Sequence, residues 1–167
     1  MAISVKKPFL ILLGLLAVLM PATTGSSQEP GQDRHAGYYY PEPATREVYH
    51  ARRERTPEAN RPLRVGFVTG VAAMMAKRAY APSYVLFAKG GEAEKLIIVA
   101  LRDGPLDTLF RVRAVLADLT AFARTMPIFG EYGARDRYTF FDLVKILGFR
   151  QITISDGRAF THQVTIE

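Results

Sequence analysis

Lys95-Leu96-Ile97-Ile98-Val99-Ala100-Leu101 restricts the fold more than any other stretch of this chain. It is apolar at odd and even positions alike, with β-branched residues at its centre. Side chains alternate between faces along a strand, so this run must lie inside a sheet that is covered on both sides. Tyr84-Val85-Leu86-Phe87-Ala88 reads as a strand before it, joined through Lys89-Gly90-Gly91-Glu92, whose paired glycines suit the positive φ of a turn. Arg102-Asp103-Gly104-Pro105 ends the central strand with turn chemistry. A second pair closes the sequence, residues 150–155 and 160–166, with Asp156-Gly157 as the hairpin signal between them. Ile152 and Ile154 alternate with Thr153 and Ser155, and Val164 and Ile166 with Gln163 and Thr165. That pair has one wet face.

Helices fill the space between. Residues 65–76 are apolar and end in strong helix formers, with Gly66 and Gly70 on one face where another element can approach closely. The alternative is a strand over residues 64–68. Thr56 is the expected cap of an earlier start, with Pro57 at its first position. Residues 106–126 form the clearest helix: Leu109, Val112, Leu116, Leu119, Ala123 and Met126 recur at three- and four-residue steps until Pro127 stops it. Residues 130–137 read as a loop. Residues 139–147 read as a short helix, capped by Thr139, with Asp142 in its first turn and Gly148 as its stop. The sum is an α+β domain: a four-stranded antiparallel sheet from two hairpins, with helices packed on one face.

The N-terminus sets the compartment. Lys6 and Lys7 precede an unbroken apolar run over residues 9–20, then Pro21 and the small residues Ala22, Thr23, Thr24, Gly25 and Ser26. This is the order of a secretory signal, and the run falls short of the roughly 20 residues that span a bilayer. The expected organisation is a signal peptide over residues 1–24, a leader and Tyr/Pro arm over 25–44, and one α+β domain over 45–167. The chain is then exported, into the periplasm of a Gram-negative source. It has no cysteine, which removes lipid anchoring through Cys, disulfides and thiolate chemistry. The net charge of +6 loses two lysines with the signal. Charges are mixed rather than striped, which argues against nucleic acid as partner and leaves weak contact with an anionic membrane open.

Residues 25–36 are polar and turn-rich and cannot bury apolar surface. Tyr38, Tyr39, Tyr40, Pro41 and Pro43 then form the candidate partner-binding arm, held extended by its prolines. If the arm packs on its own domain, deleting residues 25–43 costs about 2–3 kcal/mol. If it binds a partner, stability holds. Residues 45–55 are charged, with room for one or two helical turns around Val48, Tyr49 and Arg52. Between residues 46 and 64 six arginines face three glutamates, as on a solvated face or a surface for acidic lipid or protein.

No catalytic, cofactor-binding or metal constellation emerges. The three histidines are His35, His50 and His162, and no pair has ligand spacing. His162 shares a strand face with Phe160, Val164 and Ile166, the position of a core histidine. Ser155, Asp156 and His162 make a triad only if picked loosely, and no serine sits in a nucleophile elbow. Glu92, Glu94, Asp103, Asp107, Asp136 and Asp156 mark turns or helix starts, where carboxylates are solvated rather than shifted in pKa. Lys89 and Lys95 flank Gly90-Gly91, but a phosphate cradle joins a strand to a helix, and these glycines join two strands.

Tyr38-Tyr39-Tyr40-Pro41-Glu42-Pro43, Gly66-Phe67-Val68-Thr69-Gly70, Phe87-Ala88-Lys89-Gly90, Glu92-Ala93-Glu94-Lys95-Leu96-Ile97-Ile98-Val99 and Ser155-Asp156-Gly157-Arg158 resemble a family of small exported alphaproteobacterial proteins. Its members are often labelled molybdopterin-guanine dinucleotide biosynthesis protein A, which implies guanylyl transfer from GTP to molybdopterin. The stretch nearest to a guanylyltransferase loop is residues 65–77, where Gly70 and Lys77 align. The second Gly, the Arg and the Gly after Met have no counterpart. The residues themselves point to a non-catalytic binding or envelope-accessory protein with no cofactor, whose partner is an envelope protein or peptide. A peptide or secretion-chaperone-like module is the further alternative by order of elements.

Overall fold

A computed structural model describes residues 41–102, 104, 106–131 and 137–167, all within one unit, Asp33–Glu167. The predicted signal, most of the leader and the residues Tyr38, Tyr39, Tyr40, Asp103, Pro105 and 132–136 lie outside the described residues. The elements are β1 (Thr45–Tyr49), α1 (Arg61–Ala76), β2 (Tyr84–Lys89), β3 (Lys95–Ala100), α2 (Leu109–Ala123), α3 (Pro127–Glu131), α4 (Phe140–Ile146), β4 (Gln151–Ser155) and β5 (Thr161–Ile166). They form an α+β fold.

The sheet corrects the expected architecture. It has five strands in the order β1-β5-β4-β3-β2, and it is mixed rather than antiparallel. Both hairpins are present: β2 pairs antiparallel with β3, and β4 with β5. They join through β3 and β4, which run parallel because a helical crossover, not a tight turn, carries the chain between them. The fifth strand is β1, within the segment expected as helical turns on a solvated face. It pairs parallel with β5, with Thr45 opposite His162 and Tyr49 opposite Ile166. Its alternate residues are half-buried and exposed, so a half-wet edge strand replaces the charged helical face.

The central run behaves as its composition requires: Leu96, Ile97 and Ile98 are each at most 1 % exposed. Leu96 and Ile98 join Ile152, Ile154 and Val164 in one core with Leu119 of α2 and Leu143 and Val144 of α4. Gly90, Gly148 and Gly157 adopt positive φ at the three turns and stops assigned to glycine. Asp156 fixes the last hairpin by accepting from the N–H groups of Arg158, Ala159 and Phe160 through Oδ1, at 2.8, 3.0 and 2.9 Å.

Several helix boundaries differ from expectation. α1 starts at Arg61, capped by Asn60, whose side chain accepts from Leu63 N. Thr56 is instead held outside the helix, its N–H donating to Ile146 O at 3.0 Å and its hydroxyl to Glu58. α2 spans Leu109–Ala123 rather than residues 106–126, so it ends before Pro127. Pro127 instead opens α3, since proline is tolerated in a first turn, and α3 runs into the expected 130–137 loop. α4 carries the expected Thr139–Asp142 capping box.

Candidate functional site

α1 has one buried side, made by Arg64, Val68, Val71 and Met75. Its other side is uncharged from Val65 to Ala76. Val65 and Met74 are 40 % and 37 % exposed, and Gly66, Thr69, Gly70, Ala72 and Ala73 are exposed between them. A Cβ built on Gly66 or Gly70 meets nothing within 4 Å. The expected close approach of another element to this glycine face is thus not made by any described part of the chain, and the face stays open.

An apolar trough of about 480 Å³ runs along that face. Leu63, Phe67 and Met74 form its α1 wall, Met126 and Pro127 the opposite wall, and Leu147 part of its base. Phe67 is held from beneath by Phe149 and Phe140, with ring centroids at 6.3 and 6.4 Å, the former edge-on. Among the described residues that line the trough, Glu131 is the charged one. The trough can desolvate an apolar ligand, and its glycines leave room for a ligand backbone to approach the helix.

The titratable groups serve the framework. Asp142 is fully buried and accepts four bonds: Thr139 N at 2.8 Å, Thr139 Oγ1 at 3.1 Å, Tyr49 OH at 3.2 Å and Arg52 N at 2.9 Å. It thereby ties the end of β1 to the start of α4. Burial pushes the Tyr49 phenol above its ordinary value; the Thr139 bond works against this and the Asp142 charge with it. Tyr49 also stacks on Phe141 at 4.6 Å. His162 is 1 % exposed, as expected of a core histidine. Its Nδ1 lies 2.8 Å from Thr45 Oγ1, and its Nε2 lies 3.1 Å from Glu47 Oε1 in poor hydrogen-bond geometry. Hydroxyl, imidazole and carboxylate stand in line across the β1–β5 pair. Neither the apolar trough nor a second, polar pocket at the start of α1 includes Thr45 or His162 in its lining, so this cluster reads as a strand clasp.

Ser155, Asp156 and His162 do not converge. Ser155 Oγ donates to Phe160 O and accepts from Gly157 N and Thr161 Oγ1, while Asp156 is spent on the hairpin. His162 sits opposite Ile154, one residue out of phase with Ser155, and so on the other face of the sheet. Among the described residues no group of three His, Cys, Asp or Glu is placed to hold a metal. The stretch nearest to a guanylyltransferase loop lies in one helix and its cap: Gly70 is interior to α1 and Lys77 caps its C-terminus.

Of the candidate arm, Tyr38, Tyr39 and Tyr40 lie outside the described residues. Pro41 and Pro43 are half-buried and lead into the edge strand, where Ala44 N donates to Thr161 O at 2.9 Å. Sequence reasoning missed the roles of Asp142 and Arg64 as buried charges. Arg64 sits at the head of an apolar run and is 3 % exposed. A charge four residues before Val68, in phase with Val71 and Met75, was the available signal. No helix among the described residues is long and apolar enough to cross a membrane. Compared with protein-family models, curated proteins and solved structures, the chain matches none of them.

Proposed function

We propose that this chain is an exported, non-catalytic binding protein of the cell envelope, and that its ligand is an apolar peptide segment seated in the trough along α1. The observation that carries this reading is an outward helix face without charge beside a trough walled by Leu63, Phe67, Met74, Met126 and Pro127. The volume lies in the range of ordinary ligand sites, but the trough is open along its length, which suits a chain better than a compact molecule. Gly66 and Gly70 admit a peptide backbone, and Glu131 at the rim favours a basic residue flanking the apolar segment. Export rests on the order of Lys6, Lys7, the apolar run and the small residues after it.

Titration of the chain lacking residues 1–24 with labelled apolar peptides tests the reading. Saturable binding, stronger for a lysine-flanked than for a glutamate-flanked peptide, is the expected result. Metal-dependent turnover of GTP with molybdopterin would overturn it in favour of the guanylyltransferase class. Self-association through the same face, without peptide binding, would replace the peptide by a second copy.

A further inference from the structure

The polar pocket opens at the N-terminal end of α1. Its volume is about 370 Å³, and Arg55, Arg64, Arg150, Asn60, Glu92 and Glu94 line it. Arg64 is the buried member. Its Nε and Nη2 donate to Glu92 O at 2.9 and 2.6 Å, and Nη1 reaches Leu147 O and Gly148 O at 3.4 and 3.5 Å. These partners are neutral carbonyls, so the bonds orient the guanidinium without cancelling its charge. The opposite charges nearby are Glu92 and Glu94, which line the same pocket and act on Arg64 across space.

The surroundings raise the positive potential further. Burial, then the neighbouring Arg55 charge, pulls the Arg64 pKa below its ordinary value; Arg150 adds to this and Glu92 and Glu94 oppose it. Of the two carboxylates, Glu94 is already engaged: it accepts from Glu92 N at 3.0 Å and folds over Gly90. Glu92 stays exposed. Asn60 uses its side chain on Leu63 N, so α1 supplies the positive end of its dipole rather than open donors. Gly148 completes the wall at φ +81°; a Cβ there would stand 2.8 Å from Arg64 Nη1, 2.9 Å from Ala59 Cβ and 3.1 Å from Arg55 Cδ. Only glycine keeps this cradle open.

We infer that the pocket is an anion site for a phosphoryl group, gripped by Arg55 and Arg150 at its mouth and by the field of Arg64 at its base. Arg55, Arg64 and Arg150 against Glu92 and Glu94 leave one net positive charge, and the side-chain donors of Arg55 and Arg150 suit an oxyanion. The group belongs either to a soluble phosphate or to a lipid headgroup. This inference is independent of the apolar trough.

Calorimetric titration of the chain lacking residues 1–24 with inorganic phosphate, beside co-sedimentation with phosphatidylcholine vesicles that contain phosphatidic acid, tests it. Arg55→Gln and Arg150→Gln alter exposed side chains and leave Arg64 in place. Each should weaken binding about tenfold, as loss of one charge-assisted contact does, with an unchanged melting temperature. Glu92→Gln should strengthen it. Saturation by free phosphate assigns a soluble ligand, and vesicle binding alone, lost in the same variants, assigns a lipid headgroup. No saturable binding in either arm, or binding that survives the double Arg55→Gln/Arg150→Gln variant, would overturn the inference.

Discussion

Asp142 ties the segment around β1 to the start of α4. It is fully buried and satisfies two backbone N–H groups and two hydroxyls from β1 and from the start of α4. Removing a charged acceptor strands its donors, at about 1–3 kcal/mol for each buried group left unpaired. Asp142→Ala should therefore lose about 3 kcal/mol in urea unfolding, whereas Tyr49→Phe removes one donor and should lose about 1 kcal/mol. Asp156 behaves differently because it is only half-buried. Burial alone would raise its carboxyl, but the N–H groups of Arg158, Phe160 and Ala159 together outweigh burial and hold it below the usual carboxylate range. A depressed folded pKa contributes stability above the unfolded value, near pH 4, and that stability is lost as pH falls through the folded value. Wild type should thus exceed Asp156→Ala in urea midpoint at pH 7, and the gap should close as the pH drops below about 4. A gap constant down to pH 2 would show that the charge of Asp156 is irrelevant to the hairpin.

At the scale of elements, local chemistry was legible and long-range pairing was not. Both hairpins, the α2 stripe, the Thr139 cap and the Gly148 stop are written in residues close together in the chain. β1 is not: its partner β5 lies 117 residues away at the Thr45–His162 pair, and its Arg46 and Glu47 resemble any solvated segment. The parallel join of β3 to β4 was equally hidden, because an apolar strand fits a parallel or antiparallel neighbour alike. The trough was half visible: Gly66 and Gly70 marked a face for close approach, but Met126, Pro127 and Leu147 reach it only through the fold. Buried Arg64 stayed hidden within an apolar run. The role of β1 has a direct check. A chain starting at residue 44 keeps the Tyr49–Asp142 and Thr45–His162 contacts, whereas one starting at residue 50 loses both. The shorter chain should show a broad, shifted melt, and the longer one a cooperative melt. Equal melting curves would mean that β1 is dispensable to the fold.

At the scale of the whole molecule, α1 carries two different openings. One is apolar and long, along α1; the other is polar and small, at the start of the same helix. The buried Tyr49–Asp142 and Thr45–His162 networks hold strands in place. The proposed peptide binding uses the exposed surface of α1, and the glycine face decides it. Gly70→Leu projects a side chain into open space, so it should leave folding intact while filling the trough. Fluorescence anisotropy with a lysine-flanked apolar peptide, wild type against Gly70→Leu, is the most direct measurement. The expected result is saturable wild-type binding that weakens at least about tenfold in the variant, with the same melting temperature. Equal affinity in the two proteins, or no binding by a folded wild type, would contradict it.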